Sequence, residues 1–559
     1  MKILYAVLWT AVALAQTPSE PKPAVVDGKV INSLTGEPIR KADLTLTTDL
    51  MPENFAAISA QLGLDDAAPP GQSKAKETKK IFTAVSDAAG KFHFDHVEPG
   101  DYFFTVKHAG FVDLNYKATG PGRADSMLHL KSGQQLHDLE LHLIPQGAVA
   151  GKVIDEDGDP VADAMVTAQA VDYSSGRRKL QLADSATTND RGEFRLAKLP
   201  PGRYYISAEK IYVDPMGTVP PPPKDGLPET GYVCTYFPRT TDSSLAEAVD
   251  VKAGIDVPGV GIQLQKSRVV RVKGKVVDGN GKPLKGAQFM LMSFARPGSM
   301  RMLMVNDPEG KFELANVTPG SYMAMIMQLQ DQKMMEQSLV VPSENLSDVT
   351  LGAVVQGTVP GRVNVIGDGK VSVKGLAVSL TTDDDSPVMP VNAVTDESGA
   401  FLFKKVTPAS YEFGIDNVPS GAYLKSVLWN GKEKLGEPFD FSVGGAGELQ
   451  VFLGTDGGAF DARVSRGDKP LTDATVVLLP DDPSQRSPQT TRSESTDEQG
   501  HAAFQDVPPG NYLAIAWEKV EDGDWFDPAL VKAAGGTAIR VTIGPKDSQH
   551  LDLKAIPAK

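Results

Sequence analysis

The 559-residue sequence has a single cysteine, Cys234, and four tryptophans, one of them within the first fifteen residues. One cysteine excludes an internal disulfide, so each domain must rely on its own apolar core. Thiol chemistry would rest on Cys234 alone. In Tyr232-Val-Cys-Thr-Tyr-Phe237 that residue reads as a buried, inert thiol on a strand. Beyond the N-terminus no stretch approaches the roughly 18 apolar residues of a membrane helix. Excess positive charge is also lacking: the formal net charge is −15. That opposes binding to nucleic acid or to anionic membranes, both of which need a basic face. There is no Gly-x-Ser-x-Gly elbow, phosphate loop or dinucleotide-binding glycine fingerprint.

What the sequence does have is a sixteen-residue phrase, Asp/Asn-x-x-Gly-x-aromatic-x-apolar-x-x-Val/Leu-x-Pro-Gly-x-Tyr, that occurs five times. The copies begin at Asp87, Asn189, Asp307, Asp396 and Asp497 and end at Tyr102, Tyr204, Tyr322, Tyr411 and Tyr512. Five copies at intervals of about a hundred residues imply five similar domains in tandem. Around each phrase, short segments alternate apolar and polar residues and are separated by Gly- and Pro-containing turns, the pattern of half-buried strands. In the third copy Arg271–Asp278 is such a strand, Gly279–Pro283 a turn, and Phe312 and Leu314 share one face of a later strand. Pro319-Gly320 reads as a tight turn with φ > 0 at the glycine. Tyr322, Ala324 and Ile326 point inward. Six or seven short antiparallel strands per repeat predict an all-β tandem array of Ig-like β-sandwiches. The recurring tyrosine fits a tyrosine corner, with its ring in the core and its hydroxyl on nearby backbone.

The opening Gly-x-Val…Gly-x-Pro-Leu/Val-x-x-Ala and the closing Asp-x-x-Gly-x-Phe…Pro-Gly-x-Tyr resemble the carboxypeptidase regulatory-like domain. The resemblance implies a transthyretin-like sandwich, akin to starch-binding-like folds, with no hydrolytic site of its own. Copy four departs from it with Ala409 in place of the turn glycine, and copy five with Ala502 in place of the first aromatic. The repeats are expected at residues 24–146, 147–267, 268–356, 357–456 and 457–559, with an insertion at 51–80 in the first. Residues 1–15 read as a signal peptide: Lys2, the apolar run Ile3–Ala13, and Ala13-Leu14-Ala15 as cleavage site. The expectation is therefore an exported protein, in the periplasm, on the cell surface or in the medium.

Candidate sites are few. His137-Asp-Leu-Glu140 has the spacing of two zinc ligands, but Leu139, Leu141 and Leu143 alternate around it as on a plain strand, and no third ligand is placed. His93 and His96 beside Asp95 lack a third ligand too. Asp155, Asp157 and Asp159 form an oxygen-rich turn without the rest of a calcium loop. Ten of sixteen methionines lie between residues 290 and 335. Met290 and Met292, Met300, Met302 and Met304, and Met323, Met325 and Met327 recur with period two, on the face opposite Tyr322. They suit an adaptable apolar contact face for a partner, with a Cu(I) site through thioethers as the remoter reading. Trp525 and Phe526, flanked by Asp524 and Asp527, suit a shallow sugar site of ring faces and carboxylates. The alternative is that Trp525 folds under as a cap on the sandwich. Together with the fold's kinship, these residues make carbohydrate the leading ligand class for a non-catalytic envelope or extracellular protein. A protein-binding scaffold is the alternative. No cofactor is expected.

Overall fold

The computed structural model describes residues 22–48, 80–116, 127–210, 212–214, 221, 228–293, 296, 300–328, 333–352, 356–382, 390–441, 447–467 and 469–558. The signal peptide, nearly all of the 51–80 insertion and most of the Pro220–Pro223 run lie outside them. Two compact units emerge, one built on the described residues up to Pro145 and the other on those from Gln146 onward. Among the described residues each repeat has its own main apolar core, and the fifth has a second, smaller one.

The third repeat shows the plan. A three-stranded sheet orders Lys311–Val317, Val270–Val276 and Leu346–Leu351. It faces a sheet ordered Met300–Val305, Ala287–Met292, Gly320–Gln328 and Lys333–Val341. The sandwich expectation holds, but the pairing is not all antiparallel. In every repeat the first strand runs parallel to the last, as Ala24–Asn32 does with Gln135–Leu143 and Gly458–Arg466 with Ser548–Lys554. In the fourth repeat, whose opening is faint in sequence, the first two strands are Gly357–Ile366 and Ala377–Thr382, one in each sheet.

The recurring phrase is a frame of backbone hydrogen bonds. In each copy the leading side-chain oxygen accepts from the amides two and four residues on: Asp87 from Ala89 and Lys91, Asn189 from Arg191 and Glu193, and likewise at Asp307, Asp396 and Asp497. Such a turn suits a short Asx side chain. The glycine three residues on (90, 192, 310, 399 or 500) has φ of 71–77°. A Cβ there would collide with the carbonyl oxygen of Val30, Val153, Val276, Val363 or Val464 on the first strand. Both conditions restrict the position to glycine.

Each closing tyrosine is at most 5% exposed. Its hydroxyl donates to the carbonyl four residues back: Glu98, Pro200, Thr318, Thr407 and Pro508, at 2.6–2.9 Å. The expectation for the Pro-Gly turn holds at Gly320, with φ 148°, and at Gly100, with φ 157°, whereas Gly202 and Gly510 are outside the positive-φ region. At the latter two an L-residue fits, and Ala409 stands at the same point of the fourth repeat, opening its strand. A further recurring element had a sequence signal that went unread: the Ser or Thr before the Asx. Ser86, Thr188, Thr395 and Thr496 are buried. Each accepts from the amide of Ala42, Ala164, Leu376 or Ala474 and donates to the carbonyl of Ile39, Val161, Val373 or Leu471.

Two measurements check this frame. Gly500→Ala should destabilise the fifth repeat by about 2 kcal/mol or more, from left-handed strain plus collision. Gly510→Ala should stay within about 0.5 kcal/mol, both read from denaturant unfolding. Desolvation pushes the phenols of Tyr204 and Tyr512 up to about 12. An unfolded tyrosine ionises near pH 10, so between about 10 and 12 the unfolded chain has lost protons that the folded one keeps. Their contribution is therefore complete below about pH 10 and lost as pH rises towards 12, measurable as a falling midpoint alongside ultraviolet phenolate titration.

Candidate functional site

Trp525 is in the interior. Gly523, at φ 87°, turns the chain into a single 3-10 turn, Asp524–Phe526. The indole, 5% exposed, packs with Val477, Leu479, Ile515, Trp517 and Ala534. These residues occupy the outer face of the Thr475–Pro480 and Gly510–Trp517 strands, which bury a second small core under the insertion. Phe526 packs against the same cluster, and Asp527 caps the helix Pro528–Ala533 by accepting from the Ala529 amide at 2.8 Å. Asp524 stands in the first turn of the 3-10 segment. The capping alternative describes this placement, and a buried ring offers no face to a sugar. Trp517 is buried, and Trp429 stacks on Phe439 with ring centroids 4.6 Å apart.

The methionines do line one face, and register makes them a field. Met302, Met290 and Met325 are direct cross-strand neighbours on three adjacent strands, and Glu336 continues the row on a fourth. Met300, Met292, Met323 and Ser338 form the next row. Met304, Gln288 and Met327 form another, on the opposite side. Met323 is buried, Met327 is exposed, and Met290, Met292, Met300, Met302, Met304 and Met325 are half-buried. Gln288 donates to the Met302 sulfur. Burial pushes the Glu336 carboxyl above its ordinary value. The sequence reading missed Glu336, because only strand register brings it beside the methionines.

The histidine candidates separate. His96 is an exposed, left-handed residue at the strand irregularity opposite Ala24–Val26 and reaches only Asp95, at 3.3 Å. His137 Nδ1 is 2.7 Å from Asp27 Oδ2, with His93 Nδ1 3.9 Å from the same oxygen, while Glu140 neighbours His142. The bond from His137, first among several causes, lowers the Asp27 pKa. A groove of about 640 Å³ runs beside them, lined by Asp27, Lys29, His93, Asp138 and Glu140. The fifth repeat carries a counterpart, in which Asp461 faces His501 at 3.5 Å and His550 at 3.8 Å. Neither trio was legible in sequence, since their members are 40 or more residues apart. Among the described residues no group of three His, Cys, Asp or Glu could hold a metal ion. Asp155 accepts from the amides of Asp157 and Asp159, so its carboxylate closes a hairpin turn, as Asp278 does in the third repeat. Cys234 is buried, and desolvation pushes its thiol up to about 12, which leaves it inert.

Polar chemistry concentrates where the second repeat meets the third. Arg301 and Glu209 are each 3% exposed and pair at 3.3 Å through both terminal guanidinium nitrogens. Arg301 also donates to the Asn316 and Met300 carbonyls. Nearby, Arg271 bonds Glu229 at 2.5 Å and Glu313 at 2.7 Å. Burial raises the Glu313 pKa, but bonds from Arg271 and Lys273 outweigh it and leave the carboxyl below its usual range. A strand crosses the junction as well: Tyr212–Asp214 adds in parallel to Met300–Val305, while Thr230–Tyr232 pairs with Lys266–Arg268 at the end of the second repeat. Elsewhere Arg177 meets Glu412, Gly421 donates to Asp506, and Gln489 donates to the Phe413 carbonyl.

These features define a tandem β-sandwich protein. Residues 148–217, within the second repeat, match the family model of the carboxypeptidase regulatory-like domain. Colossin-A of Dictyostelium discoideum is 23% identical over 364 residues, which is 61% of this chain and about 3% of that protein's length. Among solved structures, the Bacillus anthracis TIE protein aligns over 74% of both chains at 15% identity and a TM-score of 0.16. A minor pilin of Streptococcus agalactiae aligns over 43% of this chain and 96% of its own, at 14% identity and a TM-score of 0.21. The major pilin subunit BcpA of Bacillus cereus aligns over 56% and 99%, at 14% identity and a TM-score of 0.14. At these scores the likenesses carry no argument about arrangement or function.

The placement of Trp525 makes a stability prediction. Trp525→Ala should cost about 3–5 kcal/mol by opening a cavity in the small core, seen as an early transition of the fifth repeat in denaturant.

Proposed function

We propose that the protein is a non-catalytic scaffold outside the cytoplasm, an array of β-sandwiches that holds its faces in place for protein partners. The observation that carries this reading is the junction of the second and third repeats. A buried ion pair, a second arginine bridging two glutamates and a strand pairing join one repeat to the next. Such rigidity suits presentation of surfaces. Export is supported by the N-terminal pattern of Lys2, the apolar run and Ala13-Leu14-Ala15. Among the described residues no helix is long and apolar enough to cross a membrane. Carbohydrate binding retains only the kinship of the fold as support, which is an analogy and not a site.

The test pairs a junction variant with a ligand screen. Arg301→Met removes the buried guanidinium that pairs with Glu209 and should destabilise the junction, exposing the connection between the second and third repeats to protease. In-cell cross-linking followed by mass spectrometry should join the intact chain to envelope or extracellular proteins, and the junction variant should lose those links. A polysaccharide panel should retain neither form. Retention on polysaccharide at the level of a known sugar-binding protein would replace the scaffold with the carbohydrate reading.

A further inference from the structure

The outer face of the third repeat combines two features that ordinary β-sandwich surfaces keep apart: a concentration of thioethers and a sheltered carboxylate. Met302, Met290 and Met325 stand side by side on three neighbouring strands. Such strands are about 4.8 Å apart, and directly opposed side chains start about 5 Å apart at Cβ. Three rotatable bonds let each methionine swing its sulfur towards a common point. Glu336 is the next residue along the same row. It is half-buried, its pKa is raised by desolvation, and no described residue gives it a hydrogen bond or an ion pair. A carboxylate removed from water without a partner is costly, and a cation alongside relieves that cost. The adjoining row of Met300, Met292 and Met323 adds apolar bulk on one side, with Met323 buried.

We propose that Met290, Met302, Met325 and Glu336 form a binding site for a soft monovalent metal ion, Cu(I) in chemical class. Thioethers are neutral, soft donors that select Cu(I) over Zn(II), Ca(II) or Mg(II). Charge points the same way: three neutral sulfurs and one carboxylate balance a single positive charge, whereas a dication would leave a net charge at a sheltered site. No thiol or imidazole belongs to the row, so the site would hold the ion without the deprotonation that cysteine ligation requires. Binding involves no redox step.

Ag(I), an air-stable ion of the same charge and softness, is the probe. The full chain is titrated with silver nitrate in chloride-free buffer and followed by native mass spectrometry and calorimetry, with Zn(II) and Ca(II) in parallel. One retained Ag(I), displaced by Cu(I) supplied anaerobically, is the expected result, with no comparable uptake of Zn(II) or Ca(II). The M290L/M302L/M325L variant, matched in size and apolarity, should lose it. Glu336→Gln should weaken it at least about tenfold. Peroxide footprinting of the unaltered chain gives an independent readout. Bound Ag(I) should shield Met290, Met302 and Met325 from oxidation, while Met127, 43% exposed in the first repeat, oxidises unchanged. No retained Ag(I), equal retention by the triple variant, or unshielded methionines in the row would each overturn the site, and footprinting decides the matter if the triple variant fails to fold.

Discussion

A buried tyrosine hydroxyl bonded to the carbonyl four residues behind it is the interaction on which each repeat turns. The bond spans the point where the chain leaves one sheet and enters the other. There the carbonyl, on a half-buried or exposed residue, lies between the two sheets' ladders. The tyrosine supplies it with a donor and fills the core with its ring. The Asx turn before it and the left-handed glycine pressed onto the first strand set the register, so that the tyrosine arrives at the right depth. These groups act together across sixteen residues, which explains why the spacing is invariant while the residues between them change.

That locality decides what could be read from the chain alone. Sandwich class, five repeats and the tyrosine corner follow from residues near one another in sequence. Strand direction was less accessible. Parallel closure of each repeat by its last strand depends on a crossover that alternation does not encode. The Pro-Gly position differs between copies, positive in φ at Gly100 and Gly320 but not at Gly202 and Gly510, because a glycine favoured at a sheet entrance looks the same in sequence as one required by positive φ. The acidic residues around Trp525 left both an exposed ring and a capping one open in sequence; in the fold Asp527 caps a helix and the indole packs in the small core with Ala534. The pairing of Arg301 with Glu209, 92 residues apart, and the place of Glu336 beside the methionines come from tertiary register alone.

Comparing repeats separates what the fold requires from what it leaves open. The inner faces are nearly interchangeable sets of Val, Leu, Phe and Tyr. The outer face of the sheet that carries the closing tyrosine differs every time. It is threonine and lysine in the first repeat at Thr105 and Lys107, and a buried polar set of Thr167, Gln169, Ser207 and Glu209 in the second. It is methionine in the third, polar around Ser379 and Glu412 in the fourth, and apolar under an inserted helix in the fifth. A strand's alternation lets one side of a sheet change without disturbing the other. One frame thus supports an ionic junction, a thioether field and a second small core.

The parallel pairing of first and last strands has a mechanical consequence. The two ends of a repeat leave from strands that lie side by side and point the same way, so the chain enters at one end of the sandwich and departs at the other. Tension along the chain then shears that strand pair lengthwise. All its hydrogen bonds share the load at once, instead of opening one after another as in a hairpin pulled from its open end. A string of such units resists stretching far better than its modest cores alone would suggest.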